Sequence, residues 1–475
     1  MQVSDSESIA STDYFQLPKE DTFEEDQVEL FKGQVILNPT ISKKNFYAFL
    51  LFGGYIGIIF LPLNLLQTPL LRQNYHLTDE ERANVTYIAN IFQLVFKVML
   101  APICASMCDK FGRRAMITFG VLCLTLSAFL FPFVPEIYPY YIMVLFLMDM
   151  GLSSVMCAPL LADYSDYETK GRVAGILTVI GYIASSVSTF ASGQMDLKSD
   201  LSPKFFAIGG LALVLGLGVA SGLKGGLYHK NLMYDKKAEK AKRRITKTLQ
   251  IENSLSEDVV ESLEPIPYEK HVKPGLMAGL REAKNPWILT GYICDFISMQ
   301  GNALFGYILI TFVTKMTGED KDESQAISLN NKHMIVGFLT AAFIGFYADK
   351  YNKFKIVMFI LLSSMVGVLL LVITPSPFHV IAYISMVFLG ISSAGFRTII
   401  SQLLGKYASP KYRASVVGVG HIFSIVGAST SNILGVYLSK KDPYVPFFMN
   451  LGCSVIGLFV LTWLYMSKKN ILNRL

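Results

Sequence analysis

Two short charged turns, each set between long apolar runs, constrain this chain more than any other feature. Cys108–Ala115 (CDKFGRRA) holds one aspartate and three cations, and Ala348–Lys355 (ADKYNKFK) repeats its opening. Asp109 and Asp349 stand 240 residues apart in a chain of 475. A second pair of landmarks keeps nearly the same offset: Arg172, in Tyr167–Gly175, and Arg413, in Ala408–Gly418, are 241 residues apart. Two independent landmarks at one offset, in the same membrane orientation, predict two parallel halves on one plan.

The medium of those halves follows from composition. Hydrophobic residues make up 52% and charged ones 16%, with mean hydropathy +0.43, whereas soluble proteins run near roughly 25% charged. A spanning helix needs roughly 20 mostly apolar residues, and such runs recur a dozen times. The chain reads as an all-α polytopic membrane protein with spans near 45–68, 85–106, 115–134, 139–161, 172–193 and 204–223, then 286–312, 332–349, 356–374, 379–404, 414–438 and 444–466. This divides it into a polar tail (1–44), a six-helix bundle (45–223), a polar central loop (224–285), a second six-helix bundle (286–467) and a short tail (468–475).

The first tail is rich in Ser, Asp and Glu and is expected to be disordered. Tyr14–Leu17 resembles a tyrosine-based sorting signal, a four-residue match common by chance. The central loop carries a basic run, Lys236–Arg244, and an acidic patch, Glu252–Glu264. These read as a solvated linker attracted to anionic lipid, or as a helix lying on the membrane surface. The net charge of +6 suits a membrane protein's inner-leaflet bias rather than a nucleic-acid partner. Cys104, Cys108, Cys123, Cys157, Cys294 and Cys453 fall in or beside apolar runs without metal spacing and read as packing residues. No nucleophile motif, phosphate loop or metal-ligand spacing appears, so no enzyme activity and no cofactor is expected.

Orientation follows from the short loops. One set carries Lys110, Arg113 and Arg114; Lys170 and Arg172; Lys350, Lys353 and Lys355; Lys406, Lys411 and Arg413. The alternate set is poorer in cations, which places both termini and the 224–285 loop in the cytosol. Asn84-Val-Thr86 then lies outside, close to span 2, as a glycosylation sequon. The membrane itself, plasma or organellar, is left open.

With twelve spans and these turns, residues 45–467 resemble the major facilitator superfamily. The first turn looks like its loop 2–3 motif: Ala105 where glycine is usual, then Asp109, Lys110, Gly112, Arg113 and Arg114. In the second copy Gly345, Asp349, Lys350 and Lys353 match, while Asn352 and Phe354 replace the glycine and the second arginine. The resemblance implies that Asp109, Arg113, Arg172, Gly345, Asp349, Lys353 and Arg413 gate the cytosolic side. Physically, a carboxylate at a helix end can accept N–H groups from a neighbouring helix start and form charge-assisted bonds. Proton-antiporter and sugar-porter signatures are missing: Leu147 stands where antiporters carry arginine, span 5 lacks the glycine-proline pair, and no sugar-porter motif follows span 6.

Four charges fall inside spans, where each costs at least roughly 2.5–3.5 kcal/mol unless it faces protein or water. They are Lys97, Asp149, Asp295 and Arg397. In the family fold spans 1, 4, 7 and 10 line the central cavity, and three of the four lie on those spans. Asn90, Gln93 and Lys97 share one helical face; Asn302 shares a face with Asp295, and Asn64 and Gln67 add polar groups on span 1. The candidate substrate and coupling residues are therefore Asp149, Asp295, Arg397, Lys97, Gln93, Asn302 and Asn64, against the alternative of a structural Asp149–Lys97 pair. His421 reads as a helix-contact histidine rather than a proton carrier.

The function expected is secondary active transport, as symporter or antiporter, of a small anionic, zwitterionic or amphipathic organic solute by alternating access. Its partners would be that solute, a proton or other cation, and membrane lipids, with the protein acting as a monomer. The alternative is a non-transporting receptor or structural subunit on the same scaffold.

Overall fold

The computed structural model describes residues 30–224 and 275–468, apart from gaps at 32–34, 39–40, 78, 194–199, 305–308, 310–311, 314–315, 317–322, 378, 410–411 and 440–441. Tyr14–Leu17, Lys236–Arg244 and Glu252–Glu264 lie outside the described residues. A two-stranded antiparallel sheet, β1 (Leu30–Phe31) with β2 (Val35–Ile36), precedes the helices. The first half comprises α1 (Lys43–Tyr75), α2 (Asp79–Phe111), α3 (Arg113–Leu130), α4 (Ile142–Met156), the short α5 (Leu160–Tyr164), α6 (Lys170–Gly193) and α7 (Ser202–Gly222). The second comprises the short α8 (Leu276–Glu282), α9 (Pro286–Ala303), α10 (Glu323–Lys350), α11 (Lys353–Val372), α12 (Val380–Tyr407), α13 (Arg413–Thr430), the one-turn α14 (Val436–Ser439) and α15 (Val445–Ser467).

The twelve expected spans fall on α1, α2, α3, α4, α6 and α7, then α9, α10, α11, α12, α13 and α15. Among the described residues nine of these stretches are long and apolar enough to cross a membrane. Local chemistry sets several boundaries. Ser42 and Asn45 form a reciprocal capping box that starts α1 two residues before the apolar run. Asn285, Asn352 and His379 cap α9, α11 and α12 with side-chain acceptors. The fourth span is not one helix: α4 stops at Met156, and Pro159, which has no N–H, opens α5. The eleventh is likewise interrupted, by a π-type turn at Ser431–Gly435.

Each half has its own apolar core. Phe46, Phe49, Phe131, Tyr141 and Tyr164 anchor the first, and Trp287, Tyr292, Phe396 and Leu403 the second. Two seams join the halves. Along one, α2 meets α13, with Ala101, Ala105 and Cys108 against Ala414 and Ile425. Along the other, α6 meets α10 and α12 through Tyr182, Ala341 and Ala394. Both seams admit close backbone approach: a Cβ on Gly418 would sit 2.5 Å from the Ala105 Cβ, and one on Gly345 would sit 2.6 Å from the Gly171 carbonyl oxygen. The segment 35–38, assigned to a disordered tail on composition, is instead paired with the 4–5 loop, and Val35, Leu37 and Ile41 are buried in the first core. Composition alone underweighted three aliphatic residues with a core within reach.

Candidate functional site

The two charged turns lie at one end of the bundle, called the turn end below. There each aspartate meets the start of a helix in the other half. Asp109, at the foot of α2, accepts from the Ser415 hydroxyl at 3.3 Å, in the first turn of α13. Asp349, at the foot of α10, accepts from the backbone N–H of Gly171 at 2.8 Å and of Arg172 at 2.9 Å, in the first turn of α6. Each carboxylate thus lies where the partial positive charge of a helix start is concentrated. The Arg172 guanidinium lies 3.9 Å from Asp349 and stacks over Phe346.

The first turn adds a buried ionic chain. Arg113 Nη1 lies 3.2 Å from Asp109, and its Nε donates to Asp163 at 2.9 Å. Arg413, from the other half, donates to the same Asp163 at 3.5 Å and to the Ala162 carbonyl at 3.3 Å. Asp163 therefore bridges two arginines across the boundary between halves. Sequence reasoning missed it, because the 4–5 loop was read for its cations; the repeat offers a signal, since Asp163 and Gln402 lie 239 residues apart. In the second turn Gln402 takes the corresponding place and donates to Asp349 at 2.9 Å. Lys353, the counterpart of Arg113, is buried beside this group. Gly345 lets α10 approach α6 closely enough for these bonds.

Polar bonds between the halves continue upward from the turn end. Lys170 donates to the Gly405 carbonyl at 3.1 Å, and Thr398 to Thr178 at 3.2 Å. Tyr182 shares a short hydrogen bond with Ser393, which donates to Asn302 at 2.7 Å. Tyr182 is 12 residues into α6, about 18 Å from its start at 1.5 Å per residue.

The four intramembrane charges separate into distinct environments. Lys97 lies 3.2 Å from Asp149, which is fully buried, and donates to Gln93 at 3.1 Å. Asp295 faces α13: a Cβ on Gly420 would come within 3.4 Å of its carboxylate. Arg397 differs from both. Its side chain is exposed, and its guanidinium lies 3.8 Å from a Cβ built on Gly181 of the opposite half. Among the described residues no carboxylate reaches salt-bridge distance of it. Asn64 lies on α1, with its side chain outside the described set. The structure thus gathers Gln93, Lys97 and Asp149 on one side, Arg397, Tyr182, Ser393 and Asn302 on the other, and keeps Asp295 between α9 and α13. Among the described residues no cluster of metal-ligating side chains is present.

The family model described as Major Facilitator Superfamily matches residues 13–189 and 291–473, on either side of the central loop. The chain belongs to that superfamily. Among solved structures it is similar to the superfamily's proton:xylose symporter XylE bound to 6-bromo-6-deoxy-D-glucose, with TM-score 0.64 and 12% identity, covering 90% of this chain and 95% of that one. It is also similar to the human organic anion transporter MFSD10 (TM-score 0.64, 12% identity, 89% and 100% covered). FucP in its outward conformation is a third (TM-score 0.61, 14% identity, 89% and 99% covered). At these identities the structural likeness shows a shared fold and no more. No curated protein matches the sequence. The protein is therefore an integral, multi-pass membrane transporter of this superfamily.

Proposed function

We propose that this protein is a secondary active transporter for a small organic solute bearing an anionic group, anionic or zwitterionic, moved by alternating access. The observation that carries the reading is Arg397, an exposed guanidinium in the turn-end half of its span beside the opposite half, with no carboxylate paired to it among the described residues. A cation left so inside a membrane protein is costly unless water or an anionic ligand meets it, and a guanidinium fork suits a carboxylate or phosphate. The likeness to a human organic anion transporter is in keeping with this class.

Of the two aspartates, Asp149 is matched by Lys97, which favours a structural pair holding α2 to α4. Asp295 has no salt-bridge partner among the described residues, and is the better group to exchange a proton as its hydration changes. The turn-end bonds act as a latch that holds the halves together in one state of the cycle. With both termini in the cytosol, that state faces outward.

Uptake of an organic-anion panel into proteoliposomes, with and without a pH gradient, tests the reading. Arg397→Gln is expected to abolish anion uptake. Asp295→Asn is expected to abolish gradient-driven accumulation while sparing exchange. Uptake of anions by Arg397→Gln at the wild-type rate overturns the substrate class. The orientation is tested separately: a reporter cysteine at Ser254, in a cysteine-free background, is expected to resist an impermeant reagent outside intact cells.

A further inference from the structure

Asp163 is the carboxylate on which Arg113 and Arg413 converge, and it lies next to the end of a very short helix whose other residues are buried. Its helix, α5, has five residues and follows a proline. A helix that short does not hold its own geometry, and its last carbonyls have no partner within it. For the last two, Asp163 and Tyr164, the partners come from the segment that precedes α1. Asn38 donates its backbone N–H to the Tyr164 carbonyl at 3.3 Å and its side-chain amide to the Asp163 carbonyl at 2.7 Å.

One residue therefore caps both terminal carbonyls of α5. The neighbouring positions extend this contact into a strand pairing. Leu37 bridges Ser165 in antiparallel fashion, and Asp166 N–H donates to the Ile36 carbonyl at 3.0 Å. The Thr169 hydroxyl lies 3.2 Å from both the N–H and the carbonyl of Ile36. Val35, Leu37 and Ile41 are 1%, 2% and 2% exposed and anchor the segment in the first core. The second half has no need of such support, because Gln402 lies within the 28-residue α12.

We propose that Val35–Asn38, anchored by Ile41, is a clip that positions Asp163 for its two arginines, so that the N-terminal segment controls the strength of the first latch. Asn38 is the positioning residue, acting through the α5 carbonyls. The inference rests on the latch reading above, and it makes the polar N-terminal region a point of control: anything that draws Val35–Asn38 off the 4–5 loop loosens the turn end.

The test measures the distance between spin labels at Arg114→Cys and Lys355→Cys, two exposed positions at the turn end. The full-length chain, free of other cysteines, is reconstituted in lipid nanodiscs. Asp163→Asn is expected to raise the population with the turn end open. Asn38→Ala is expected to raise it roughly two- to tenfold, the range for one intramolecular hydrogen bond. Ile36→Pro, which removes the Ile36 N–H, is expected to act in the same direction. Asn38→Ala combined with Asp163→Asn is expected to open the turn end no further than Asp163→Asn alone. A wild-type distribution in both clip variants, with Asp163→Asn open, overturns the clip and leaves the latch standing. Additive opening also overturns it, since Asn38 would then act on the core rather than through Asp163. A wild-type distribution in Asp163→Asn removes the latch and the clip with it.

Discussion

The two charged turns share one motif and hold the halves together in different ways. In the first, Gly112 takes φ +96°, open to glycine at little cost, and the helix after it has no side-chain cap. In the second, Asn352 takes φ −60° and caps α11 by accepting from the Phe354 N–H. The first latch is ionic: Asp109, Arg113, Asp163 and Arg413 form a buried chain of alternating charge. The second is a helix cap: Asp349 takes two backbone N–H groups and the Gln402 amide. A motif copy that looks degraded in sequence thus makes the more direct bonds to the opposite half. Loss of the glycine and the second arginine does not weaken a cap built from backbone.

A second difference concerns attachments. Ser415, which donates to Asp109, also accepts the Gly275 N–H at 3.0 Å, where the chain returns from the central loop. Asp163 is tied through its carbonyl to Asn38. Both polar regions of the chain therefore join the membrane bundle at the first latch.

The largest effect expected is steric. Gly345→Leu places a side chain where even a Cβ meets the Gly171 carbonyl oxygen at 2.6 Å. It should hold α6 and α10 apart, keep the turn end labelled by thiol reagents throughout, and abolish transport. Gly418→Leu, against Ala105, should do the same on the other seam; a normal transport rate in either removes that seam from the closed state.

Next come the carboxylates. Asp349→Asn weakens charge-assisted bonds to two N–H groups, a loss of about 1–3 kcal/mol that shifts populations roughly five- to a hundredfold. Asp109→Asn should shift them less, because Arg113 keeps Asp163. Accessibility of a turn-end cysteine ranks the two, and the reverse order would make the ionic chain the stronger latch.

The cations sharpen the contrast further. Arg113→Lys is expected to open the turn end about tenfold, since a lysine cannot supply the fork that reaches Asp109, Asp163 and the Cys108 carbonyl together. Lys353→Arg is expected to change the ratio by less than about twofold, because the second latch rests on backbone donors. Equal effects would show that both turns depend on their cation.

The smallest effects are local. Gly112→Ala should cost about 1–3 kcal/mol in thermal unfolding for its positive φ with extended ψ, and Asn352→Ala about 1 kcal/mol for its lost cap. Asn352→Gly should cost only a few tenths of that. A Gly112→Ala variant as stable as the wild type would show that this turn has another conformation open to it.

Much of the molecule was legible before any coordinates. Runs of about 20 apolar residues place spans because a bilayer has one thickness, and the 240-residue offset gives two halves because helix order repeats with it. Asp149 and Lys97 were readable as a possible pair, being buried charges of opposite sign at similar depth. Asp163 was not, because one of three acids in a loop (Asp163, Asp166 and Glu168) resembles any solvated charge until Arg413, 250 residues away, is beside it. Nor was the pairing of Val35–Asn38 with the 4–5 loop, since it is made largely of backbone groups that every residue carries.

The sequence by itself determined depth along the membrane normal: which residues span, which turn, and how far in each charge lies. Hydropathy records that coordinate because the solvent changes along it. Direction around each helix axis, and hence partner, was decided only by the tertiary structure. Lys97 answers Asp149 while Arg397 stays without a carboxylate partner among the described residues, and no property of either residue type predicts which. The outcome depends on how helices far apart in the chain close around one another. That is set by close approach at Gly171, Gly175, Gly345 and Gly418, where the absence of a side chain sets the spacing.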